Sequence, residues 1–190
     1  YDCEFDQSEA GVVFRGSDDG SVWDCSMHDN EAGLVSSFRS SVSAQRSSFR
    51  NNTDVGLLAF VNSDLNVGDS EVTGNGSGGV GAQIHSSLGL AQVVLRENGE
   101  SHIFATDRSK VNLISDVTLG GSQDRTVSSA GLSASSTLTA GWMSTFHGDV
   151  YVIGNSYLEL GELSVDGRIW ARTFSRVSLG RTLVSKQAVC

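Results

Sequence analysis

Residues 33–52, GLVSSFRSSVSAQRSSFRNN, carry a pattern that the chain repeats twice without a gap. A shift of 23 positions aligns it with GLLAFVNSDLNVGDSEVTGN at 56–75, and a second such shift aligns it with GVGAQIHSSLGLAQVVLREN at 79–98. Fixed repeats of roughly 20 to 50 residues are typical of solenoids and related arrays. Single motifs in this chain therefore have to be interpreted by their place in the repeat.

When the chain is aligned on this repeat, residues of one type recur at one position in successive units. The glycine column consists of Gly11, Gly33, Gly56 and Gly79. The asparagine column consists of Asn30, Asn52, Asn75 and Asn98. The apolar column that precedes the asparagines consists of Phe5, Met27, Phe49, Val72, Leu95 and Val117.

This unit of 22–23 residues predicts an all-β fold, the parallel β-helix, because it carries about three short strand signals and the chain has no proline. In such a coil, equivalent residues of successive rungs stack about 4.8 Å apart. The apolar columns would fill the interior, and the asparagine amides would bond from rung to rung at a turn, where Asn tolerates left-handed backbone. We interpret the glycine column as corners that need a positive φ.

The repeat also predicts the organisation of the chain. We expect five rungs within residues 1–121. Residues 122–141 are rich in Ser, Gly and Thr, which indicates a loop or an insertion. Strand signals return over 142–190, and they indicate either a continuation of the solenoid or an atypical capping β segment.

The composition restricts the class of partner. The 22 acidic residues outnumber the 13 basic ones, for a net charge of −9, which argues against nucleic-acid binding by a basic surface. No apolar run approaches the roughly 20 residues that cross a bilayer, so we expect no membrane span. The chain opens at Tyr1 without Met, which suggests a processed protein or a fragment. We expect Trp23, Trp142 and Trp170 to be buried or to cap an end.

The FxxN unit Phe49-Arg50-Asn51-Asn52 and the repeated glycine–apolar step resemble the repeats of right-handed β-helix surface proteins. Polymorphic outer-membrane proteins carry such FxxN units, and the resemblance covers about residues 1–120. It implies a passenger or stalk region of an extracellular adhesin, appendage or spike. The same fold also carries pectate-lyase-like and polygalacturonase-like enzymes, so the fold by itself does not decide the function.

Four short motifs keep an enzymatic interpretation open. Polygalacturonases use NxD, DD, HG and RxK, and this chain contains Asn52-Thr53-Asp54, Asp18-Asp19, His147-Gly148 and Arg108-Ser109-Lys110. Their order along the chain differs from the order in that family. The coil would place Asp18-Asp19 and Asp54 on different faces, and His147 lies beyond the repeat. A glycosidase needs its carboxylates close together around one bond. We therefore predict no catalytic residue, with a polysaccharide lyase or hydrolase as the alternative.

The repeat gives two of the cysteines a shared position. Cys3 and Cys25 lie 22 residues apart, which is one rung, and each precedes the apolar column by two residues. Stacked neighbours meet the Cα separation of a disulfide, so we expect a Cys3–Cys25 bridge in an oxidising compartment, with two reduced cysteines as the alternative. Cys190 remains single.

Two sequons lie at almost the same outward corner, so Asn51 and Asn75 are candidate N-glycosylation sites. We expect no cofactor, because the histidines lack metal-ligand spacing. Calcium is the one ion that stacked acidic turns such as Asp69 and Glu71 could bind.

These observations favour a non-catalytic, extracellular or cell-surface β-solenoid, which could also belong to a virion spike. It would act as a spacer, an adhesin or a subunit of a filament. Its expected partners are further copies of itself, stacked head to tail or laterally, or other surface proteins. Carbohydrate is the other partner class, since a lectin-like module also fits the sequence.

Overall fold

In a computed structural model that describes residues 3–16, 19–120, 127–186 and 188–189, the chain folds as a parallel β-helix. The described residues form strands and turns and contain no helix, so none of them belongs to a helix that could span a membrane. Successive rungs pair in parallel through backbone hydrogen bonds. The predicted all-β solenoid is therefore confirmed, and its regular rungs have the length of the sequence repeat.

The first face of the coil is a sheet of nine strands, one from each rung. Residues that alternate along each of these strands point inward and outward, because the side-chain period of a strand is two. The strands are Ala10–Arg15, Ala32–Ser37, Val55–Phe60, Gly78–Gln83, Ser101–Ala105, Ser128–Leu132, Val150–Ile153, Ile169–Arg172 and Ala188–Val189.

The second and third faces belong to one larger sheet, which bends where the strands Asp64–Thr73 and Ser87–Arg96 run from one face to the other. Asp69 and Gln92 have positive φ at these bends. The other second-face strands are Asp19–Trp23, Ser41–Gln45, Lys110–Ser115, Thr137–Trp142, Tyr157–Leu160 and Arg176–Leu179. The other third-face strands are Cys3–Asp6, Cys25–His28, Ser48–Arg50, Thr118–Leu119, Thr145–Phe146, Ser164–Val165 and Leu183–Val184.

The core consists of apolar columns that run along the axis, as expected. On the first face Leu34, Leu57, Val80 and Ile103 are in register and fully buried. One assignment is wrong, because the column that contains Leu95 continues at Leu119 and not at Val117.

An irregularity in the strand Lys110–Ser115, which precedes Val117, explains that error. The register between neighbouring strands shifts after Leu90, where Ala91 pairs with Ser115 and Ile114 is an extra residue. The shift moves every later residue of the rung by one position. Val117 is still buried, but its place is opposite Val93.

The solenoid continues beyond the repeat with rungs of changed length. On the first face Ile103 pairs with Ala130, which makes that rung longer than the repeat, whereas Val150 pairs with Ile169, which makes that rung shorter. The strand Ser128–Leu132 and all but the last residue of the strand Thr137–Trp142 fall in 122–141, where we expected a loop or an insertion. Residues 142–186 and 188–189 continue the coil in rungs shorter than the repeat.

The asparagine column forms the expected ladder. Asn30, Asn52, Asn75 and Asn98 are each about 1% exposed. The backbone N–H of Asn52 donates to Oδ1 of Asn75 at 3.0 Å, and the same bond recurs from Asn30 to Asn52. The left-handed residue is the one before each asparagine, since φ is 56° at Asp29 and 53° at Asn51.

The prediction that the glycine column forms corners is wrong. Gly11, Gly33, Gly56 and Gly79 lie inside first-face strands, and none of them has a positive φ. These positions require glycine because there is no room for a side chain. A Cβ on Gly33 would lie 2.4 Å from the carbonyl oxygen of Gly56 and 3.1 Å from Nδ2 of Asn52. The two columns are thus one feature, in which glycine leaves room for the asparagine amides.

Candidate functional site

An open groove of about 1230 Å³ runs along the bend between the second and third faces. It spans the rungs near the beginning of the chain. Successive rungs place side chains of both charges along it. The charged residues that line it are Glu4, Asp24, Arg46, Arg50, Asp69, Glu71 and Arg96.

The charges in the groove pair with one another between rungs. Arg46 donates to both carboxylate oxygens of Asp24, from Nε to Oδ1 and from Nη2 to Oδ2, each at 2.7 Å. Arg96 likewise donates to Glu71 one rung away. The bidentate geometry fits the flat guanidinium to the carboxylate. These contacts neutralise four of the charged side chains in the groove.

This pairing leaves Asp24 and Arg46 poorly suited to proton transfer. The hydrogen bond from Arg46 lowers the pKa of Asp24, and the bond to Asp24 raises the pKa of Arg46. A general acid or base works best with a pKa near the working pH, and both shifts lead away from it. Arg46 also stands between Asp24 and Asp69, which are two rungs or roughly 10 Å apart along the axis.

The structure does not bring the polygalacturonase-like motifs together. Asp19 and Lys110 share one column of the second face but are separated by four rungs, or roughly 19 Å. Asn52 is buried in the ladder, while Asp54 is exposed in the turn before the first face. His147 follows the third-face strand Thr145–Phe146. Asp18 lies outside the described residues.

Cys3 and Cys25 form the expected disulfide, with their Cα atoms 4.6 Å apart. The bridge joins the first two third-face strands, in which the two residues are register partners. Cys190 lies outside the described residues. The disulfide adds a side-chain cross-link between the first rung and the second.

The two candidate glycosylation sites differ in exposure. Asn51 is exposed, so a glycan there remains a prediction. The prediction for Asn75 is wrong, because its Nδ2 is buried and donates to the backbone oxygen of Phe49 at 3.1 Å and to Oδ1 of Asn98 at 2.8 Å. A glycan on that nitrogen would require the ladder to open.

Within the described ranges, no group of three His, Cys, Asp or Glu side chains is placed to hold a metal ion. Asp69 and Glu71 both line the groove, but Glu71 is paired with Arg96. His28 has two close acidic neighbours, since its ring nitrogens lie 2.6 Å from Glu4 Oε1 and 2.7 Å from Asp29 Oδ2. These bonds raise the pKa of His28, the one to Asp29 more strongly.

A second surface, on the first face, was missed by the sequence analysis. Tyr151 and Trp170 are register partners, as are Ile153 and Arg172, and the four side chains line a recess of about 320 Å³. We call these four residues the aromatic platform. The expectation that the tryptophans are buried or end-capping is also wrong for Trp23 and Trp142, which are 47% and 71% exposed.

The signal for this platform was present in the strings DVYVIG, residues 149–154, and GRIWAR, residues 167–172. Both alternate apolar inward residues with outward ones, of which Tyr151 and Trp170 are aromatic. The two strings are closer together in the sequence than one repeat, so an alignment on the repeat did not superpose them.

The comparisons with known proteins agree with this architecture. The family model described as the right-handed β-helix region matches residues 1–156. No curated protein and no solved structure shows a significant match to the chain. The match covers the groove and the first rung of the aromatic platform.

Proposed function

Because the chain belongs to the right-handed β-helix family, we propose that it is a non-catalytic β-solenoid that acts outside the cell. It serves as a rigid spacer, an adhesin or a subunit of a filament, on a cell surface or in a virion spike. The observation that carries the proposal is the pairing of Asp24 with Arg46 and of Glu71 with Arg96 in the groove between the second and third faces. Paired charges stabilise the stacking of rungs instead of forming a reactive centre.

The mechanism of such a protein is mechanical. Each rung bonds to the next through its backbone, through the buried apolar columns and through the asparagine ladder. Stability in a solenoid accumulates from such nearest-neighbour contacts, and the result is a stiff rod with a regular surface. Further copies of the chain, other surface proteins and carbohydrate are the partners that this surface would serve.

The disulfide supports the proposed location. Disulfides persist in oxidising compartments such as the extracellular space and are rare in the reducing cytosol. The Cys3–Cys25 bridge lies in a strand column, where its cysteines are in register.

A turnover assay on a panel of acidic and neutral polysaccharides tests the proposal. We expect neither new reducing ends nor unsaturated uronate above the blank. Turnover that is lost in the Asp24→Asn variant would overturn the proposal. The control is Asp64→Asn, which changes an exposed aspartate that does not line the groove and should keep full activity. Electron microscopy of the purified protein, in which we expect rods or fibres, tests the mechanical role separately.

A second candidate is a polysaccharide-degrading enzyme, which the size of the groove favours. A cleft of about 1230 Å³ could hold several sugar units, and Asp24, Arg46 and Asp69 would be its reactive groups. The assay above separates the two candidates, since only an enzyme would lose turnover on substitution of Asp24.

A further inference from the structure

The aromatic platform has the geometry of a binding surface. Its side chains are the outward members of two neighbouring strands, Val150–Ile153 and Ile169–Arg172, while Val150, Val152, Ile169 and Ala171 point into the core. Tyr151 and Trp170 therefore lie one strand spacing apart, about 4.8 Å along the axis.

The orientation of Trp170 is fixed by Asp149. The indole Nε1 donates to Oδ2 of Asp149 at 3.3 Å, and the backbone N–H of Arg168 donates to Oδ1 at 2.8 Å. The Arg168 side chain also pairs with Asp149, at 2.9 Å, and lies 5.1 Å from the centre of the Trp170 ring. Burial opposes the charge of Asp149, but the bonds from Arg168 and Trp170 hold its pKa below the ordinary value. The ring is thus ordered before any ligand arrives.

Arg172 is the cation on the platform that remains available. Its guanidinium lies 5.8 Å from the centre of the Trp170 ring. In the described part of the chain it forms no ion pair, whereas Arg168 is neutralised by Asp149. A guanidinium beside an aromatic ring offers several donors at the edge of an apolar surface.

The charge of the chain changes sign close to this surface. Residues 1–166 hold all 22 acidic residues and eight of the 13 basic ones, which gives −14, whereas residues 167–190 hold five basic residues and no acidic one, which gives +5. The acidic character of the whole chain suits an anionic ligand poorly. Residues 167–190, which include Trp170 and Arg172, carry a net positive charge instead.

Space for a longer ligand continues along the axis. Gly131 is the register partner of Tyr151, and a Cβ built on it would meet nothing within 4 Å. The next partner in this column is Phe104, another aromatic residue. The outward column therefore presents Phe104, an open position, Tyr151 and Trp170 in a line parallel to the axis.

We propose that the aromatic platform binds an anionic polysaccharide, with sugar rings against Trp170 and Tyr151 and an acid group on Arg172. Aromatic rings supply large, rigid contact area, and a guanidinium binds carboxylate or sulfate through paired hydrogen bonds. One available cation beside two rings suits a sugar ring with a single acid group better than a phosphate backbone, which needs a basic stripe. This inference rests on the proposed adhesive function and names its ligand class.

Binding of oligogalacturonate and of a sulfated glycosaminoglycan fragment to the whole chain, measured by calorimetry, tests the inference. We expect at least one of them to bind, more weakly at high salt, and a neutral cello-oligosaccharide to bind less well. Trp170→Ala and Tyr151→Ala should each lower the affinity about tenfold or more. Arg172→Gln should lower the affinity for the anionic ligand and leave that for the neutral one unchanged.

Two controls have matched chemistry. Trp142→Ala removes a more exposed tryptophan on the second face, and Arg39→Gln removes an exposed arginine many rungs away; both should bind as the unsubstituted chain does. The inference would be overturned if neither anionic ligand bound, or if Arg172→Gln bound the anionic ligand undiminished. Preferential binding of single-stranded DNA would also overturn it. Turnover of the same ligand would instead overturn the proposed non-catalytic function.

Discussion

Asn75 and Asn98 are joined by two hydrogen bonds to one oxygen. Oδ1 of Asn98 accepts from the side-chain Nδ2 of Asn75 at 2.8 Å and from its backbone N–H at 3.1 Å. Nδ2 of Asn98 in turn donates to the backbone oxygen of Val72 at 3.0 Å. Each asparagine thus satisfies the backbone of the preceding rung at a buried turn, where an unpaired polar group would be costly.

We expect Asn75→Ala to destabilise the fold by about 2–4 kcal/mol. The substitution leaves the buried backbone N–H of Asn52 and the oxygen of Phe49 without their partners. Chemical denaturation monitored by circular dichroism measures the change. The control is Asn66→Ala, an exposed asparagine of the strand Asp64–Thr73, for which we expect a change within about 0.5 kcal/mol. Equal effects of the two substitutions would contradict the role of the ladder.

We expect Gly33→Ala to be strongly destabilising and Gly131→Ala to be nearly neutral. Both glycines lie in first-face strands with ordinary φ, so the two substitutions differ only in the space that the new methyl group meets. At position 33 it would meet the carbonyl oxygen of Gly56 at 2.4 Å, whereas at position 131 it would meet nothing. Overpacking of this kind costs roughly 1–3 kcal/mol or more. Thermal unfolding of the two variants makes the comparison, and a stable Gly33→Ala protein would refute it.

We expect the second rung to lose stability as the pH rises above about 6.5. His28 is largely buried, with 13% of its side chain exposed, and its bonds to Asp29 and Glu4 raise its folded-state pKa above the ordinary value of 6.5. The stabilisation is therefore fully present below 6.5 and is lost as the pH rises through the folded-state pKa. Hydrogen exchange of the strand Cys25–His28, corrected for the intrinsic rate, measures the loss.

The variant His28→Gln is the control for this pH dependence. Glutamine keeps polar contacts with Glu4 and Asp29 but does not titrate, so the corrected exchange rate should no longer change across this range. A titration of the His28 ring by NMR that gives a pKa at or below the ordinary value of 6.5 would contradict the prediction.

Most of the fold could be predicted from the sequence because stacking makes the repeat visible. Leu34, Leu57 and Val80 occupy one column since each must fill the same place in the interior. The role of Gly33 could not be predicted in this way, because a glycine required for φ and one required for space look the same in a sequence. The backbone φ and the distance to Gly56 separate the two cases, and both require the structure.

The surface was less predictable than the core. Tyr151 and Trp170 become neighbours only because their rung is shorter than the repeat, and that change follows from the later turns and not from the repeat itself. The partners of Asp24 and Asp149 depend on which side chains face each other across rungs. A short motif such as Asn52-Thr53-Asp54 says little about its surroundings, because in a solenoid the column of a residue decides its neighbours more than the sequence does.

We expect loss of the Cys3–Cys25 bridge to loosen the first rung without unfolding the later ones. The bridge closes a loop of about 22 residues, for which the chain-entropy account gives a stabilisation of about 3 kcal/mol. Because contacts in a solenoid are between neighbouring rungs, the effect should stay local. Hydrogen exchange of the variant Cys3→Ser/Cys25→Ser should show lost protection in Cys3–Asp6 and Cys25–His28, while Ser87–Arg96 remains protected.

Cys190→Ser is the matched control and should exchange like the unsubstituted chain. Peptide mapping with and without reductant establishes the bridge itself. Two free thiols at positions 3 and 25 would refute the prediction, and so would a loss of protection that extends to Ser87–Arg96.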